Sequence, residues 1–365
     1  MALIARKLMQ EGISVKFSSF HDGLSYLRNG GFDCEEVPAV DVGWSAFSTK
    51  RAFVRLPATM LSFRRQVFRE LGIIRRFKPR VVLSDSRLSS IIAASLLGVP
   101  SLAVLNQLRI LLPRPTRIPF PRFLEDSAAE VFAYLWSATE RILVPDLPPP
   151  FTIAKRNIFG VRHRRKIQFT GFLFKPPTFE ESELDHVRNT IELRNGRPVI
   201  FALISGPSPT RARIVEKAIE AAKHYSSELN FIISMGVEGG STAPQRMDWG
   251  VLFEWCPLRD ELMFLSDIVL ARAGHSVIAQ SILFGKPMIL VPIPSHSEQS
   301  ANAARAAELG VATILTESAL ASELGERVRD LLTSAQVKGR VIDLKSTAEK
   351  LSGIDLVTKE VMDMM

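Results

Sequence analysis

The sequence is poor in cysteine and lacks both a long apolar run and a metal-binding motif. Its 365 residues include two cysteines, Cys34 and Cys256, far apart in the chain. Two distant cysteines exclude a disulfide scaffold and a cysteine-rich zinc site, and they fit a reducing cytoplasm. No apolar stretch reaches the ~18 unbroken residues of a membrane span, and no basic-then-apolar leader opens the chain. We therefore expect a cytoplasmic protein without a membrane-spanning helix.

The positive charge is concentrated in one segment. The whole chain carries a net charge of +8, whereas residues 47–80 hold ten Lys or Arg against one acid, Glu70. Phenylalanines and leucines are interleaved with these arginines, so the pattern favours an amphipathic basic helix at an anionic membrane surface, peripheral to the inner face of the cell membrane. The alternative is a solvated helix whose apolar stripe packs into the core. Nucleic acid is the least favoured partner, because no recognition motif accompanies the charge.

The remaining composition is that of an ordinary globular protein of about two domains. Hydrophobic residues make up 46% of the chain, which excludes disorder. Short β-branched runs alternate with helical patterns, an order typical of an α/β fold with parallel sheets. The predicted strands are residues 13–18, 81–83, 102–105, 198–204, 231–235, 251–255, 268–271 and 288–292.

A proline-dense stretch, residues 144–151, predicts the domain boundary. We expect an N-terminal domain over 1–146, a linker over 147–167, a second domain over 168–340, and a helical segment over 341–365 that packs back on the first domain. The chain opens with a helix pattern, whereas a doubly wound domain normally opens with a strand and a ligand-binding loop. Either the first domain is shortened, or the true start lies upstream of Met1.

One segment combines a buried strand, a glycine turn and a helix. The predicted strand 268–271 runs into Arg272, Gly274, His275 and Ser276, and a helix then continues to Phe284. Gly274 permits a close turn, and Ser276 is the predicted N-cap. The free amides and positive end of such a helix form an anion site suited to a diphosphate. An ordinary capped turn is the alternative.

Further polar groups follow at positions that suit a nucleotide sugar. Gln280 lies one helical turn beyond Ser276, where its amide can bind ribose hydroxyls. Glu298 and Gln299 begin the helix predicted over 300–309, and they suit sugar hydroxyls unless they only cap that helix. A third loop contains Gly206, Ser208 and Thr210, although its two prolines remove amide donors. The three loops together predict a nucleotide-sugar ligand.

These segments contain three ordered motifs. They are D-x-V-x-x-R-x-G-H-S from Asp267, G-K-P-x-x-x-V-P from Gly285, and E-Q-x-x-N-A from Glu298. Their order and spacing resemble the donor half of GT-B glycosyltransferases, most closely family 28, which includes the N-acetylglucosaminyltransferase that completes lipid II. The chain is also similar to the UDP-glucuronosyltransferases. The resemblance implies two Rossmann-like domains facing a cleft, with the donor in the C-terminal domain and the acceptor in the N-terminal one.

The resemblance also implies roles for single residues. The turn would meet the donor diphosphate, the backbone at Cys256 would read the nucleobase, and Gln280 would hold the ribose in place of the usual Glu. Glu298 and Gln299 would hold the sugar. The implied donor site comprises Lys175, Gly206, Ser208, Thr210, Cys256, Arg272, Gly274, His275, Ser276, Gln280, Glu298, Gln299 and Asn302.

The expected activity is an inverting transfer from a nucleotide diphosphate sugar, expected to be UDP-linked, to a hydroxyl of a lipid-linked or small acceptor. The family's N-terminal glycine-rich loop has no counterpart, which leaves Asp85 and His21 as candidate bases. Asp85 has an alternative role as the cap of a helix starting near Leu88.

No HxxxH, HExxH or DxD motif occurs, so we expect no metal or other cofactor. The helix dipole, together with Lys175 and Arg272, would stabilise the leaving diphosphate in place of a metal cation. A non-catalytic donor-binding protein and a nucleotide-sugar epimerase or hydrolase remain alternatives.

Overall fold

The computed structural model describes residues 1–40, 49–109, 122–160, 166–193, 196–206 and 208–365. Its contacts divide the chain into two compact units. The first consists of Met1–Pro148, Arg156–Leu173 and Ser352–Met365, and the second of Pro149–Lys155 and Phe174–Leu351.

The first half of the chain alternates short parallel strands with helices, as its pattern predicts. The elements are α1 (Ala2–Gln10), β1 (Phe17–Ser19), α2 (His21–Asn29), β2 (Cys34–Glu36), α3 (Thr49–Phe77), β3 (Val82–Asp85), α4 (Leu88–Leu96), β4 (Ser101–Val104), α5 (Arg122–Trp136), β5 (Arg141–Val144), α6 (Lys155–Ile158) and β6 (Ile167–Phe169).

Two separate parallel sheets form in the first unit. One contains β1 and β2, and the other has the strand order β3-β4-β5-β6. All four residues of β4 are buried, whereas all three of β1 are only half-buried. The helix α1 packs over the larger sheet, because Ile4 and Leu8 join the same apolar cluster as Leu102 and Val104. The expected single doubly wound sheet is therefore split into two in this unit.

The second half continues the alternation. Its elements are α7 (Glu181–Ile191), β7 (Val199–Leu203), α8 (Ser208–His224), β8 (Asn230–Ser234), β9 (Gln245–Met247), β10 (Gly250–Phe253), α9 (Arg259–Leu265), β11 (Ile268–Ala271), α10 (His275–Phe284), β12 (Met288–Leu290), α11 (Ser297–Glu308), β13 (Ala312–Ile314), α12 (Leu320–Thr333), α13 (Ala335–Glu349) and α14 (Gly353–Asp363).

The sheet of the second unit is doubly wound. Its strand order is β13-β12-β11-β7-β8-β10-β9, with every pair parallel except β9 on β10. The chain starts at β7, builds outward through β8 and β10, and returns to the other side of β7 with β11. The order therefore reverses between β7 and β11, and such switch points are where open α/β sheets bind ligands, outside the carboxyl ends of the strands.

The domain boundary differs from the predicted one. Residues 147–167 are not a free linker, because Pro149–Lys155 belongs to the second unit and the following residues return to the first. Ile167–Phe169 forms β6, which pairs in parallel with β5. This strand extends the β3-β4-β5 sheet of the first unit, so the chain returns to the second unit at Phe174 rather than at residue 168. The sequence pattern did not indicate β6, because a strand of three residues is too short to show an alternation of apolar and polar side chains.

The C-terminal segment also divides between the units. Helix α13 remains in the second unit, whereas α14 belongs to the first. There Glu360, which is 7% exposed, accepts hydrogen bonds from Arg141 at 2.5 Å and Gln168 at 3.2 Å. The predicted segment 341–365 therefore returns to the first unit only from Ser352 onward. Within the described ranges, no helix is long and apolar enough to cross a bilayer.

Candidate active site

The turn between β11 and α10 ends a buried strand and begins a helix at the switch point. Gly274 is the N-cap residue in extended conformation, and the first helical bond runs from the amide of Ile278 to the carbonyl of Gly274. The predicted N-cap, Ser276, instead lies inside the first turn, where it is exposed. The first-turn amides have no acceptor within the helix, so they and the helix dipole present a positive end to the groove.

Neither the backbone conformation at position 274 nor the space around it requires a glycine there. Its φ is −70°, and a Cβ built on it would meet no atom within 4 Å. The space beside the Cα atom of Gly274 is therefore open. A helix N-terminus with an open approach is a site that suits an anion such as a phosphate.

A groove of about 1120 Å³ lies along the carboxyl ends of β7, β8 and β10, at the first turns of α10. Four predicted donor residues line it: Gly206, Cys256, Ser276 and Gln280. Ser276 and Gln280 are separated by one helical turn and face the groove together. The remaining walls come from Phe179, Glu183, His186, Trp255, Arg259 and Glu261, among others.

Close backbone approach shapes the floor of this groove. Gly236, which follows β8, has φ +65°, and a Cβ there would lie 2.3 Å from the carbonyl oxygen of Ile204. Gly206 after β7 also has a left-handed φ, +118°. Only glycine fits Gly236 without moving the backbone of the adjacent loop. Sequence reasoning missed Gly236, because the close approach joins the loops after β7 and β8, which are distant in the chain.

Arg272 does not face the donor groove. It is 1% exposed and donates to Glu317, to the carbonyl of Thr210 at 2.7 Å and to that of Val291 at 3.1 Å. The predicted contact with a diphosphate is therefore wrong for this side chain. A buried guanidinium needs a compensating charge, and Glu317 supplies it from 45 residues further along the chain. Arg272 instead fixes the start of α8 against the end of β11.

Asn302 and Gln299 are likewise engaged within the protein. Asn302 is fully buried, and its Nδ2 donates to the carbonyl of Ala273 at 3.4 Å, so it supports the Gly274 turn rather than lining the groove. The Oε1 of Gln299 accepts from the amide of Ile293 at 3.0 Å. Both side chains position loops at the carboxyl edge of the sheet.

Glu298 lies in the first turn of α11, as predicted, but that helix begins at Ser297 rather than at Ser300. Neither Glu298 nor Gln299 is among the residues lining the groove. Because β11 and β12 are parallel neighbours, the turns that follow them leave the same edge of the sheet. A sugar extending from a diphosphate at α10 toward α11 would meet Glu298.

Of the other residues predicted to bind the donor, those whose side chains the structure describes do not line the groove. His275 is 8% exposed and begins α10. Ser208 begins α8, and its side chain lies outside the described residues. Lys175 is exposed and is not among the groove-lining residues, whereas Arg259 lines the groove with its guanidinium carbon 5.8 Å from the ring centre of Phe174. Among the described residues that line the groove, Arg259 is the one Lys or Arg side chain.

Cys256 lines the groove through a buried position. Burial raises the pKa of its thiol to about 12, so the side chain is neutral and unreactive at physiological pH. This protonation state fits a role for the backbone at this position, as the resemblance implies, and excludes a thiolate nucleophile. Within the described residues, no group of three or more His, Cys, Asp or Glu side chains could hold a metal ion.

Helix α7 contributes groove residues that sequence reasoning did not find. Glu183 and His186 are exposed on this helix and line the groove beside Trp255. They are far in sequence from the strand–turn–helix motifs. The only local signal is the capping box formed by Glu180 and Glu183, which marks the start of α7 but not its ligand-facing side.

The two candidate bases lie in the first unit. Asp85 ends β3, is exposed, and lines a cavity of about 670 Å³. Its alternative role as a helix cap is wrong, because Arg87 is the N-cap residue of α4 and no side-chain hydrogen bond caps that helix. His21 is also exposed and is the first residue of α2 rather than part of a loop. Its φ of +48° is unusual for a residue other than glycine.

A buried carboxylate accompanies them in the same unit. Glu70 on α3 is 2% exposed, forms an ion pair of 2.9 Å with Arg87, and accepts from Ser18 at 3.0 Å. Burial raises the pKa of Glu70, against the opposing charge of Arg87 and the hydrogen bond from Ser18. The group links β1, α3 and the end of β3.

Comparison with known proteins agrees with this geometry. Residues 207–356 match the glycosyltransferase family 28 C-terminal domain. An uncharacterized glycosyltransferase of Methanosarcina mazei is 29% identical, over 96% of this chain and 90% of that protein. The UDP-N-acetylglucosamine--N-acetylmuramyl-(pentapeptide) pyrophosphoryl-undecaprenol N-acetylglucosamine transferase of Desulforamulus reducens is 23% identical, over 88% of this chain and 84% of that one.

Solved structures show the same fold. The spinosyn rhamnosyltransferase SpnG matches with a TM-score of 0.69 at 16% identity, over 100% of this chain and 95% of that chain. A second structure of that enzyme is complexed with thymidine diphosphate. The chain is a glycosyltransferase with the GT-B fold. The chain is similar to the C-terminal domain of glycosyltransferase family 28 over residues 207–356, which lie mostly in the second unit.

Proposed function

We propose that this glycosyltransferase transfers a sugar from a UDP-sugar to a hydroxyl of a lipid-linked or small acceptor, with inversion and without a metal ion. The observation that carries the proposal is the first turn of α10, which no side chain caps and which has open space at Gly274, at the switch point of the sheet. The relative from Desulforamulus reducens, whose name states a UDP-sugar donor and a pyrophosphoryl-undecaprenol acceptor, supports both substrate classes.

The donor would lie along the groove with its diphosphate at the Gly274 turn. Gln280, one helical turn beyond Ser276, would hold the ribose hydroxyls, and the backbone at Cys256 would meet the base. The floor glycines allow a ligand to approach the main chain closely. The sugar would extend toward Glu298 and Gln299. Thymidine diphosphate is the natural competitor to test, because it is bound in a structure of the same fold.

The proposed chemistry is a single displacement. The acceptor oxygen forms a bond to the anomeric carbon as the bond from that carbon to the diphosphate oxygen breaks, which releases UDP and inverts the configuration. Asp85, or alternatively His21, takes the proton of the acceptor hydroxyl. The first-turn amides and positive dipole end of α10 stabilise the negative charge that develops on the diphosphate. Arg259 adds a full positive charge at the wall of the groove.

We also propose that the protein docks at the inner face of the cell membrane through α3. The side chains of Met60, Leu61 and Phe68 are 61%, 47% and 67% exposed, and Arg64 and Arg65 are exposed beside them. The spacing of these five residues places them on one side of the helix. The prediction that the arginines and the apolar residues lie on opposite faces of the helix is therefore wrong here, since both lie on the solvent-facing side. Residues 47 and 48 of the predicted segment lie outside the described residues.

Calorimetric titration with UDP in the presence of EDTA tests the donor site and its independence of metal. We expect micromolar binding that Gly274→Asp weakens by about tenfold or more, because it places a carboxylate beside the diphosphate. Gly274→Ala is the matched control. Its Cβ meets nothing within 4 Å, so binding should change little. Equal affinity of Gly274→Asp and the native chain, or binding abolished by EDTA, would contradict the proposal. GDP and thymidine diphosphate measure the base preference.

Release of UDP with a polyprenyl-pyrophosphate-linked sugar as acceptor tests the transfer step. Asp85→Asn should lower turnover by about a hundredfold or more with unchanged UDP affinity, because general-base catalysis contributes about 10²–10⁴-fold. Undiminished turnover of Asp85→Asn together with loss in His21→Gln would assign the base to His21. UDP binding without transfer to any acceptor would indicate a donor-binding protein, and release of free sugar would indicate a hydrolase.

A further inference from the structure

A guanidinium lies in the wall of the groove, at the end away from the Gly274 turn. Arg259 is the first residue of α9 and follows Cys256 and β10, whereas Gly274 follows β11. The sheet order puts β7 and β8 between β10 and β11, so three strand spacings separate the two ends, roughly 14 Å in all. At this distance the charge of Arg259 acts on the turn only through its field. Its direct contacts with a ligand are at the β10 end.

The guanidinium of Arg259 is held in one orientation. Its Nε and Nη2 atoms both lie 2.7 Å from Oδ1 of Asp260, and its Cζ lies 5.8 Å from the ring centre of Phe174. The ring of Phe174 is itself packed on Phe284 of α10, with the ring centres 5.8 Å apart. Among the described residues, Nη1 of Arg259 has no hydrogen-bond partner. The N–H groups of this nitrogen are therefore available to a ligand in the groove.

This ion pair contributes little to folding. The side chains of Arg259 and Asp260 are 41% and 26% exposed, and exposed pairs add little net stability because water screens them. For binding, in contrast, the fixed orientation is an advantage. A guanidinium that is already oriented loses less conformational freedom when it binds an acceptor atom than a free side chain does. The arrangement therefore favours a role in ligand binding.

Charge indicates which part of the donor meets Arg259. Three carboxylates from α7 and α9 line the groove against this one guanidinium: Glu183, Asp260 and Glu261. The excess of negative charge disfavours a diphosphate at these walls, whereas the first turn of α10 favours one. With the diphosphate at Gly274, the base is the part of the donor that extends farthest toward β10. Arginine carries only hydrogen-bond donors, so its partner is an accepting atom of the base.

We propose that Arg259 selects the base of the donor by donating a hydrogen bond to a carbonyl oxygen of that base. Asp260 and Phe174 are positioning residues that hold the guanidinium. Uracil and thymine each carry two ring carbonyls and cytosine carries one. Adenine carries none and presents an amino group, which an arginine cannot pair with. The inference deepens the proposed function and rests on it, because it requires a nucleoside diphosphate in the groove.

The test compares UDP with ADP, which share the ribose and the diphosphate and differ only in the base. Arg259→Met keeps an apolar stem against Phe174 but removes every N–H donor. We expect this variant to weaken UDP binding by about ten- to a hundredfold, the range for a hydrogen bond from a charged group, and ADP binding by less than about twofold. Asp260→Ala should weaken UDP binding by a smaller factor and again spare ADP. Calorimetric titration measures UDP, and competition against UDP measures ADP.

Arg246→Met is the matched control. It removes the same charge from β9 of the second unit, where Arg246 pairs with Glu192 at 2.5 Å and is not among the groove-lining residues. Both affinities should stay as they are in the native chain. A loss in Arg246→Met as large as that in Arg259→Met would reduce the effect to net charge and overturn the proposal.

The remaining outcomes separate this inference from the donor site itself. Equal weakening of UDP and ADP by Arg259→Met would assign the guanidinium to the ribose or diphosphate and overturn base selection, as would undiminished UDP binding. CDP identifies the carbonyl: a loss confined to UDP supports the carbonyl that cytosine lacks, and a loss shared with CDP supports the one beside the ribose. Failure of the proposed function has a different signature, because the native chain would then not bind UDP, or Gly274→Asp would not weaken it.

Discussion

Arg272 and Glu317, which follow β11 and β13 in the sheet of the second unit, form a buried ion pair. The Nη2 atom of Arg272 lies 2.6 Å from Oε1 of Glu317, and the two side chains are 2% and 5% exposed. The same guanidinium binds the carbonyls of Thr210 and Val291. Three separate segments of the sheet edge are therefore tied to one positive charge, which explains why an arginine follows β11 although it does not reach the ligand.

The first prediction concerns this pair. Glu317→Gln leaves Arg272 buried without its counter-charge, and we expect the free energy of unfolding to fall by about 3–5 kcal/mol. The control is Glu323→Gln in α12, which removes a half-exposed pair with Arg327 of 3.1 Å and should cost less than about 1 kcal/mol. Urea unfolding measures both. A loss for Glu317→Gln no larger than that of the control would show that the pair does not hold the loops.

The second prediction uses two glycines that share a left-handed backbone. Gly236 and Gly239 have φ of +65° and +72°. A Cβ added at Gly236 would clash with the carbonyl oxygen of Ile204, whereas a Cβ added at Gly239 would meet no atom within 4 Å. Gly239→Ala should therefore cost about 1–2 kcal/mol of stability from backbone strain alone. Gly236→Ala should cost more and should also weaken UDP binding, because the Ile204 loop must move. Thermal unfolding and titration separate the effects, and equal stability losses would disprove the close approach.

The third prediction concerns the ribose. If Gln280 binds the 2′-hydroxyl, Gln280→Ala should weaken UDP binding by about two- to tenfold, the equivalent of one hydrogen bond of ~0.5–1.5 kcal/mol. Binding of 2′-deoxy-UDP should be unchanged by the same substitution, since the lost partner is absent from that ligand. Gln280→Glu is the second variant, because it restores the acceptor usual in family 28. Equal loss of UDP and 2′-deoxy-UDP affinity would assign Gln280 to another part of the donor.

The strand–turn–helix over β11 and α10 could be predicted closely because its signals are local. A buried β-branched run and Gly285 mark the strand and the end of the helix, and Gly285 has the left-handed φ of +68° typical of a helix end. The helix start was predicted two residues late, because the N-cap is Gly274 rather than Ser276. The placement of the β7 and β11 loops at one edge also followed from sequence, since parallel strands present their carboxyl ends together. The family resemblance then assigned a diphosphate to the turn.

What the sequence did not reveal depends on contacts between distant residues. The counter-charge of Arg272 lies 45 residues away, and the groove wall from α7 carries no motif. The strand β6 was not recognised, and the predicted boundary between the linker and the second domain ran through it, because three residues give no periodicity. The exposure of Phe68 could not be known from helical spacing alone, since α3 buries Gln66 and Glu70 where an apolar stripe was expected.

The fourth prediction concerns the membrane-facing side of α3. Each basic residue near an anionic surface contributes about 1 kcal/mol, so Arg64→Gln with Arg65→Gln should weaken binding to phosphatidylglycerol-containing vesicles by about thirtyfold. Phe68→Ser should also weaken it, because the 67% exposed ring would lose its burial in the lipid. Lys338→Gln with Arg340→Gln removes the same charge from exposed positions on α13 and should leave binding nearly unchanged. Vesicle sedimentation at fixed ionic strength compares these three variants with the native protein. Equal losses in the two double variants would mean that net charge attracts the protein without a defined docking side, whereas a loss confined to the α3 variants would assign that side to the stripe from Met60 to Phe68.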